Sequence, residues 1–532
     1  MHFSTIDYSE TGFFSQLILD YLKNDARLSE FSGGYMDEVT LASKLSDINV
    51  KCFDRNILSK TLLNQYNNID KEEIIINNLN LLLNKRTYCV VTAHQPIIFG
   101  GPLYFILKIA NTIQLARQYK LQFPQYDFVP VYWMGGEDHD MEEIGAVKMF
   151  GKAFKWDTTQ SGASGRMSIE DLENTLTQIC DVLGGSEYAK QLAAIFRDAY
   201  QKEYSLKDAT RALVNTLFGK YGVLVVDGDD AGLKALIQPI MIKELFEPQA
   251  YDLVKHTSSA LEALGYKPQA APRSINLFYL ENQVRARIER VDNGDFIVVG
   301  TAYRFTPAEM LSKVHTHPEC FSPNVILRPL YQQSILPSVA FVGGGGELAY
   351  WMQQKAVFDF YQVHFPMLVL RTSLQPVLGN QQKKLDKLGI ALQDIFLDVK
   401  TLEKQYILQH SSNRFAEVFD SVKKNLMEEF NKLKLIAIET DMTLQGFMAA
   451  EERRMEEQIK SVALKIEKAE KAKHSIAIDQ IHNLKGSLFP NNNLWEREES
   501  VAALWVRFGP KLIEAFIESL DPMVKKFYIV SD

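Results

Sequence analysis

Short β-branched or aromatic runs alternate with longer helical patterns through the middle of the chain. TYCVVTA (87–93) is a continuous apolar run of the kind that forms a buried parallel strand, and Ile106, Ile109 and Ile113 share one face of the helix predicted after it. The same order recurs in FVPVYWM (128–134), YGVLVVDGDDAGLKALIQPIMIKELF (221–246), VAFVGGGGELAYWMQQKAVFDFYQ (339–362) and PMLVLRTS (366–373). Strands that alternate with helices of this length indicate βαβ units, so the sequence predicts an α/β fold with a mostly parallel sheet.

The chain before and between these units has a different texture. Residues 1–85 carry helical periodicity, with apolar positions on one face and polar positions on the other. Residues 275–300 are predicted to form an antiparallel insertion whose hairpin turn is Asp292–Asp295. The helix after this insertion begins with a capping box, Thr306 to Glu309.

Residues 414–484 are almost free of glycine and proline, rich in Lys and Glu, and helical in pattern. An approximate 3–4 spacing is kept by Phe419, Val422, Leu426, Phe430, Leu433, Ile459, Val462, Ile466 and Ala469. The spacing slips between 435 and 450, which indicates a break between two long helices. We therefore predict an antiparallel coiled-coil hairpin, which could pair within one chain or between two.

These textures predict four segments along the chain. They are an N-terminal helical segment packed on the core (1–85), a core with insertions near 150–220 and 255–320 (86–375), a coiled-coil domain (376–486) and a C-terminal helical segment that returns to the core (487–532).

Composition narrows the class of protein. The chain has 532 residues, 46% of them hydrophobic and 23% charged, with a formal net charge of -8. These values are typical of a globular protein and argue against a nucleic-acid partner, which requires a basic surface. The four cysteines (Cys52, Cys89, Cys180, Cys320) form no CxxC pair, so neither a zinc site nor a disulfide framework is indicated. We find no targeting segment and no membrane span, and expect a cytoplasmic protein without a membrane partner.

Polar turns follow four of the predicted strands of the parallel sheet. They lie at His94–Pro102, Glu137–Asp140, Asp227–Asp230 and Gly343–Glu347. Ligands of open parallel sheets bind outside the carboxyl ends of the strands. The coincidence of four such turns therefore predicts an active site at this edge of the sheet.

The turn GGEDHD (135–140) leaves three interpretations open. Asp and Glu are favoured in the first turn of a helix, so it could be a cap. A carboxylate against His139 would orient the imidazole as a general base. A metal is the third interpretation, but adjacent residues point in different directions and only one or two could face one ion. We favour acid/base or ligand work and assign no metal.

Three stretches together resemble one family. HQPIIFGGPLYFILKI (94–109), FVPVYWMGGEDHDMEEI (128–144) and FSPNVILRPLYQQSILPSVAFVGGGGELAYW (321–351) look like signature segments of the bacillithiol biosynthesis cysteine-adding enzymes, and LFPNNNLWERE (488–498) resembles a C-terminal segment of that family. The order of these segments and the coiled coil also agree. The resemblance implies a Rossmann-like core similar to nucleotidylyl transferases and class I aminoacyl-tRNA synthetases, with inserted segments and a coiled coil that forms a homodimer.

The resemblance also implies a reaction. The carboxyl group of cysteine would be joined to the amine of glucosaminyl-malate as an amide, the last step of a low-molecular-weight thiol pathway. A carboxylate does not condense with an amine unaided, so ATP or another adenine nucleotide is expected. Whether Mg²⁺ accompanies the nucleotide, and whether AMP or ADP is released, stays open.

Residue roles follow from the matching motifs. Gly136–Asp140 match the family's GEDHD, so we expect Asp138 and His139 to bind and deprotonate the amine, or to orient the amino group of cysteine, with Asp140 in support. Expected substrate contacts are His94, Gln95, Tyr104, Glu137, Arg328, Gln332 and Tyr350; expected nucleotide contacts are Gly100, Gly101, Gly343, Gly344, Gly345, Gly346 and Glu347. The family usually has TGQQ where this chain has Thr92–Gln95, so the role of His94 stays open.

Two rival functions are consistent with the same residues. One is a nucleotide-binding hydrolase or transferase that acts on another small molecule. The other is a non-catalytic protein that binds a partner through its coiled coil. Detection of the cysteine amide would separate the ligase from both.

Overall fold

The computed structural model describes residues 1–48, 53–67, 69, 71–410 and 414–531. The chain divides into two units. The sheet unit contains Phe3–Gln375 and Asn493–Ile529, and the coiled-coil unit contains Met1–His2, Pro376–Asn492 and Val530–Asp532.

The described strands are β1 His2–Ile6, β2 Thr87–His94, β3 Asp127–Met134, β4 Ala146–Met149, β5 Lys152–Lys155, β6 Leu224–Asp227, β7 Leu277–Glu281, β8 Val284–Arg290, β9 Phe296–Val298, β10 Arg304–Phe305, β11 Phe321–Pro323, β12 Ser338–Gly343, β13 Met367–Leu370, β14 Leu374–Val377 and β15 Phe527–Ser531.

The helices up to residue 361 are α1 Tyr8–Thr11, α2 Gln16–Leu22, α3 Ser29–Ser32, α4 Glu38–Asp47, α5 Arg55–Gln65, α6 Glu73–Leu81, α7 Leu103–Gln122, α8 Met141–Ile144, α9 Glu173–Leu183, α10 Glu187–Gln201, α11 Leu206–Phe218, α12 Ala231–Ala235, α13 Gln238–Phe246, α14 Ala250–Ala263, α15 Pro307–Thr316, α16 Arg328–Ile335 and α17 Gly345–Tyr361. Those after it are α18 Gly379–Leu388, α19 Val399–His410, α20 Arg414–Thr440, α21 Leu444–Lys473, α22 Ser475–Leu488, α23 Trp495–Glu498, α24 Ala502–Phe508 and α25 Lys511–Ser519.

A five-stranded parallel sheet forms the centre of the sheet unit. Its strand order is β13-β12-β2-β3-β6. All eight residues of β2 are buried, as the continuous apolar run predicts for a strand covered on both faces. Helix α7 packs on β2 and β3 and follows β2 directly. The predicted α/β fold with a parallel sheet is confirmed.

The insertion before residue 300 is antiparallel, as predicted. Strands β7, β8 and β9 pair in succession, and the turn between β8 and β9 contains Gly294 with a positive φ of 90°. Helix α15 begins with the predicted capping box, in which Thr306 and Glu309 hydrogen-bond each other's backbone.

Some short strands were not predicted. The N-terminal segment is mainly helical but opens with β1, and the C-terminal helical segment ends in β15. These strands form a three-stranded sheet of order β1-β15-β14. HFSTI in β1 lacks the continuous apolar run that marks the central strands, because none of its residues is fully buried.

The coiled-coil unit contains the predicted helical hairpin. Helices α20 and α21 are 27 and 30 residues long and are separated by residues 441–443, inside the predicted break. Lys434 on α20 and Glu452 on α21 form an ion pair of 2.5 Å, as antiparallel neighbours do. None of the described helices combines the length and the apolar composition that a membrane crossing requires.

Candidate active site

A cavity of about 550 Å³ opens at the carboxyl ends of the central strands. It lies where β2, β3 and β12 end, at the edge where the polar turns were predicted to gather. Its lining includes Ala93, His94, Gln95, Tyr104, Lys108, Gly135, Glu137, Asp138, Glu143, Arg285, Asn324, Arg328, Gly344, Gly345, Gly346, Glu347, Tyr350, Arg371 and Arg497.

One side of the cavity carries three arginines. Arg371 follows β13, is 3% exposed, and pairs with the buried carboxylate of Glu496 at 2.8 Å. Arg328 donates hydrogen bonds to Gln332 (2.9 Å) and Tyr350 (3.3 Å). Among the described residues, neither Arg328 nor Arg497 forms an ion pair with a carboxylate. This wall, which we call the arginine wall (Arg328, Arg371, Arg497), therefore carries positive charge that the protein leaves partly uncompensated.

The charges of the arginine wall affect one another. Burial and the neighbouring Arg371 lower the pKa of Arg497. Although burial opposes it, Glu496 raises the pKa of Arg371 and keeps it charged. Within the part of the chain that the structure describes, the buried Nε of Arg371 finds no hydrogen-bond partner. An anion in the cavity would relieve the repulsion and supply that partner.

The glycine turn after β12 is fixed by a buried ion pair. Lys108 on α7 lies 2.5 Å from Glu347 and donates to the carbonyl oxygen of Ala93 at 2.9 Å. Glu347 accepts a hydrogen bond from the Gly344 N–H at 2.8 Å. Burial opposes ionisation of Glu347, but Lys108 and this N–H hold its pKa below the usual range. Gly344–Gly346 thus line the cavity at the start of the 17-residue helix α17.

Another part of the lining carries carboxylates. Asp138 accepts a hydrogen bond from Gln95 Nε2 at 3.1 Å, and the same amide lies 3.3 Å from Glu143. The Tyr104 hydroxyl lies 2.9 Å from His94 Nε2 and 3.3 Å from Glu143 Oε1. We call Asp138, Glu143, Gln95, Tyr104 and His94 the acidic wall; Gln95 and Tyr104 contact the carboxylates, and His94 contacts Tyr104.

Asp138 is kept ionised in this arrangement. Burial alone would raise its pKa, but hydrogen bonds from His139 and the charge of Arg285 lower it. His139 itself is half-exposed and does not line the cavity; its Nδ1 lies 2.8 Å from Arg285 Nη1 and 3.7 Å from Asp138 Oδ1. Asp140 is the N-cap of α8, and accepts from the N–H groups of Glu142 and Glu143. The three predicted catalytic residues thus differ in position: Asp138 lines the cavity, His139 contacts Arg285, and Asp140 caps α8.

Behind the acidic turn lies a buried charge network. Glu137, at the cavity, is 2.6 Å from Lys234 Nζ, which also lies 2.8 Å from Asp229. Lys234 is completely buried, and the two carboxylates raise its pKa against the effect of burial. Arg166 forms a two-pronged contact with Asp229. Asp229, in the predicted turn after β6, therefore contacts Glu137 through Lys234, and the turn itself does not line the cavity.

Three of the predicted glycines lie outside the cavity lining. Gly100 and Gly101 are buried in the turn before α7 with φ of 77° and 54°, and a Cβ on Gly101 would meet Ile97 at 2.7 Å. Gly343 accepts the Arg371 N–H at 2.8 Å through its carbonyl. Gln332 is also outside the lining and contacts it through Arg328.

Within the described ranges, no group of three or more His, Cys, Asp or Glu side chains could hold a metal ion. His315, His317 and Cys320 of the HTHPEC stretch are among the described residues and form no such group.

Comparison with known proteins places the chain in a family. Residues 1–372 match the model of the bacillithiol biosynthesis BshC N-terminal Rossmann-like domain, and residues 376–531 match that of the BshC C-terminal coiled-coil domain. The chain belongs to the BshC family. A protein of Flavobacterium psychrophilum named "Putative cysteine ligase BshC" is 38% identical over 99% of this chain and 98% of its own length. Proteins of that name from Christiangramia forsetii and Flavobacterium johnsoniae are each 36% identical over 99% of this chain, and over 98% and 99% of their own lengths.

The BshC models agree with the observed architecture of each unit, a Rossmann-like sheet and a coiled coil. Among solved structures, one titled as a putative arginyl-tRNA synthetase from Campylobacter jejuni covers 88% of this chain and 99% of that chain at 11% identity, with a TM-score of 0.21. A likeness at that level supports no conclusion about this BshC protein.

Several cavity residues of this BshC family member were missed from sequence. Lys108 was the visible one, since a lysine inside the apolar stretch LYFILKIANTI is a signal of a buried charge. Glu143 lies three residues after the acidic turn GGEDHD (135–140) and was assigned no role from the sequence. Arg285 and Arg497 come from the insertion and from the segment after residue 493, and nothing in their local pattern links them to the sheet edge.

Proposed function

We propose that this chain is a ligase that joins the carboxyl group of cysteine to the amine of glucosaminyl-malate, forming an amide. The observation that carries the proposal is one cavity, at the carboxyl edge of a Rossmann-like sheet, that is lined by both the arginine wall and carboxylates. Relatives that share the whole chain are named cysteine ligases. In such a ligase, the arginines would bind the carboxylates of the substrates and the acidic side chains would bind the amine.

The arginine wall suits anionic groups. Glucosaminyl-malate carries two carboxylates and cysteine carries one, and arginine pairs with such groups through two parallel hydrogen bonds. The Nε of Arg371, which finds no partner among the described residues, would lie 3.8 Å from a Cβ added to Gly344, so this donor lies beside the glycine turn. Arg328 and Arg497 lack carboxylate partners among the described residues and are free to bind substrate.

ATP or another adenine nucleotide, with or without Mg²⁺, would supply the activation that a free carboxylate lacks. Gly345 and Gly346 at the start of α17 offer backbone N–H groups for its phosphates, and the arginine wall offers positive charge. Lys108 and Glu347 hold this glycine turn in place.

The acidic wall suits the amine. Asp138 remains anionic and is oriented by Gln95, so it can bind an ammonium group and position it over the activated carboxyl. His139 would act through its contact with Arg285, and Asp140 would act by capping the start of α8. His94, Tyr104, Glu137 and Tyr350 would complete the contacts to substrate.

The test is a product assay with purified protein, cysteine, glucosaminyl-malate and ATP. Mass spectrometry should detect the cysteine amide together with AMP or ADP in equal amount. Asp138→Asn should reduce amide formation, whereas His139→Ala tests whether the exposed imidazole takes part. Nucleotide hydrolysis without an amide would favour the hydrolase alternative, and binding without turnover would favour the interaction protein.

We further propose that the protein is a cytoplasmic homodimer that pairs through the coiled coil. The reaction uses a nucleotide that the cytoplasm supplies. Apolar side chains on α20 and α21 are more than 40% exposed at Val422, Leu426, Leu433 and Val462, which is more than a finished two-helix hairpin should leave uncovered. We also propose that the chain is organised in the four segments predicted from the sequence, 1–85, 86–375, 376–486 and 487–532.

A further inference from the structure

The Tyr104 hydroxyl lies between two acceptors on the acidic wall. Its oxygen is 2.9 Å from His94 Nε2 and 3.3 Å from Glu143 Oε1. A phenol has one proton and donates to one acceptor at a time. The acceptor that receives this proton decides whether Glu143 faces a hydrogen atom or a lone pair.

The backbone fixes the tautomer of His94. Its Nδ1 lies 2.9 Å from the carbonyl oxygen of Gln95, and because a carbonyl can only accept, Nδ1 carries the ring proton. Burial and the charge of Lys108 lower the pKa of His94 to about 4, so the ring is neutral near pH 7 and Nε2 is an acceptor. The Tyr104 hydroxyl therefore donates to His94 and presents a lone pair to Glu143.

Glu143 consequently has a partner in both protonation states. When it is protonated, it can donate to the Tyr104 oxygen at 3.3 Å. When it is ionised, it can accept from Gln95 Nε2 at 3.3 Å. The charged groups that face it are Asp138 and Asp140 on its own turn and Lys108 on α7. Partial burial raises the pKa of Glu143 above its usual range.

We infer that Glu143 takes the proton from the attacking amine, with Tyr104 and His94 as positioning residues. Glu143 lines the cavity yet is exposed, so it can touch substrate and return the proton to water. Asp138 is the poorer proton acceptor, because its hydrogen bonds from His139 and Gln95 stabilise the carboxylate. This inference rests on the proposed ligase function.

The substrate ammonium gives one proton to the Glu143 carboxylate and becomes a neutral amine. Its lone pair forms the C–N bond to the carboxyl carbon of cysteine, activated by the nucleotide. The bond from that carbon to the leaving group breaks, and the leaving group departs with the electron pair and the second N–H proton. Glu143 then returns its proton to solvent.

The experiment compares Glu143→Gln with Glu142→Gln, the neighbouring exposed carboxylate that lies outside the cavity lining. Amide formation is measured at saturating substrates from about pH 6 to pH 9, and folding of each variant is checked by thermal unfolding. Glu143→Gln should lower kcat by about 100-fold or more at pH 7 with little change in KM for ATP. The deficit should shrink as the pH rises, because more of the amine is then neutral without help. Glu142→Gln should match the wild type, and Glu143→Asp should recover part of the rate.

Tyr104→Phe tests the direction of the hydrogen bond. Loss of the lone pair should lower the pKa of Glu143 and move the acidic fall of kcat to lower pH. A move to higher pH would show that the hydroxyl donates to Glu143 and would overturn the positioning roles. An unchanged kcat in Glu143→Gln, or a deficit that is constant with pH, would overturn the catalytic role. A wild-type protein that forms no amide would overturn the proposed function itself, and this inference with it.

Discussion

The guanidinium of Arg371 and the carboxylate of Glu496 lie 2.8 Å apart, and both side chains are almost completely buried. Arg371 follows β13, the last strand of the central sheet in chain order. Glu496 belongs to the C-terminal segment of the sheet unit, which begins at Asn493, 118 positions after Gln375. Glu496 also accepts the Leu374 N–H at 3.0 Å. The ion pair therefore fastens the C-terminal segment, which carries Arg497, to the edge of the cavity.

We predict that Glu496→Gln destabilises the protein by about 3 kcal/mol, because it leaves a buried guanidinium without its counter-charge. Urea unfolding followed by circular dichroism would measure this. Glu514→Gln, on the exposed face of α25, is the matched control and should change the free energy of unfolding by less than about 0.5 kcal/mol. Equal stability of the two variants would mean that the C-terminal segment is held by apolar packing alone.

Lys234→Met should destabilise the protein in a pH-dependent manner. The variant leaves Glu137 and Asp229 buried without the ammonium group between them. In the wild type, Lys234 and Arg166 lower the pKa of Asp229 against the effect of burial, so its contribution to stability is present near pH 7 and is lost in acid. In the variant both carboxylates bind protons more readily when folded, so the deficit should shrink from pH 7 to pH 5.

Urea unfolding at the two pH values checks this prediction. The exposed Lys190→Met on α10 is the control and should show a small effect that does not vary with pH. Adding Glu137→Gln to Lys234→Met should restore part of the stability at pH 7, since one unpaired charge is removed. A deficit that grows in acid would contradict the assignment of the network.

Arg328→Met and Arg497→Met should each weaken the binding of an anionic substrate. Loss of a charged hydrogen bond costs about 1.5–3 kcal/mol, which corresponds to a rise of about 10–150-fold in KM. Steady-state kinetics with each substrate varied in turn would show which anion each arginine binds. Arg287→Met, on β8 and away from the cavity lining, is the control. Unchanged KM values for all three substrates would remove Arg328 and Arg497 from substrate binding.

The thiol of Cys89 should be inert in the folded protein. Cys89 is buried in β2, and burial raises its pKa to about 12, so at pH 8 only about one molecule in 10⁴ carries the thiolate. Iodoacetamide should therefore alkylate Cys89 in urea but not in buffer, as read by peptide mass spectrometry. Cys180 and Cys320 are also buried, and the pKa of each is raised, so they serve as internal comparisons; Cys52 lies outside the described residues. Rapid labelling of Cys89 in buffer would contradict its burial.

Continuous apolar runs made the central sheet predictable from sequence. β2, β3 and β12 are covered on both faces, so their side chains show no alternation, and the polar turn after each strand marks its carboxyl end. The placement of Gln95, Asp138 and Gly344 at one cavity follows from that rule. β1 and β15 escaped prediction, because short strands that pair across more than 500 positions leave little local signal.

The roles of single side chains were less predictable than their location. Asp138 and His139 are adjacent in sequence, yet His139 turns to Arg285, a residue of the antiparallel insertion. Glu143, on the four-residue helix α8, lines the cavity and lies 3.3 Å from Tyr104 on α7. Such contacts depend on pairs far apart in sequence, and periodicity reports only on neighbours.

Helix α20 exposes two leucines that a second copy of the chain could cover. Leu426 and Leu433 lie on one side of α20, seven positions apart, and their side chains are 43% and 59% exposed. If a second copy covers this face, Leu426→Glu with Leu433→Glu should place four charges in the interface and convert a dimer to a monomer in sedimentation velocity. Lys423→Glu with Lys432→Glu changes charge at exposed positions of the same helix and is the control, expected to remain dimeric. A wild-type protein that sediments as a monomer would show that the coil pairs only within the chain.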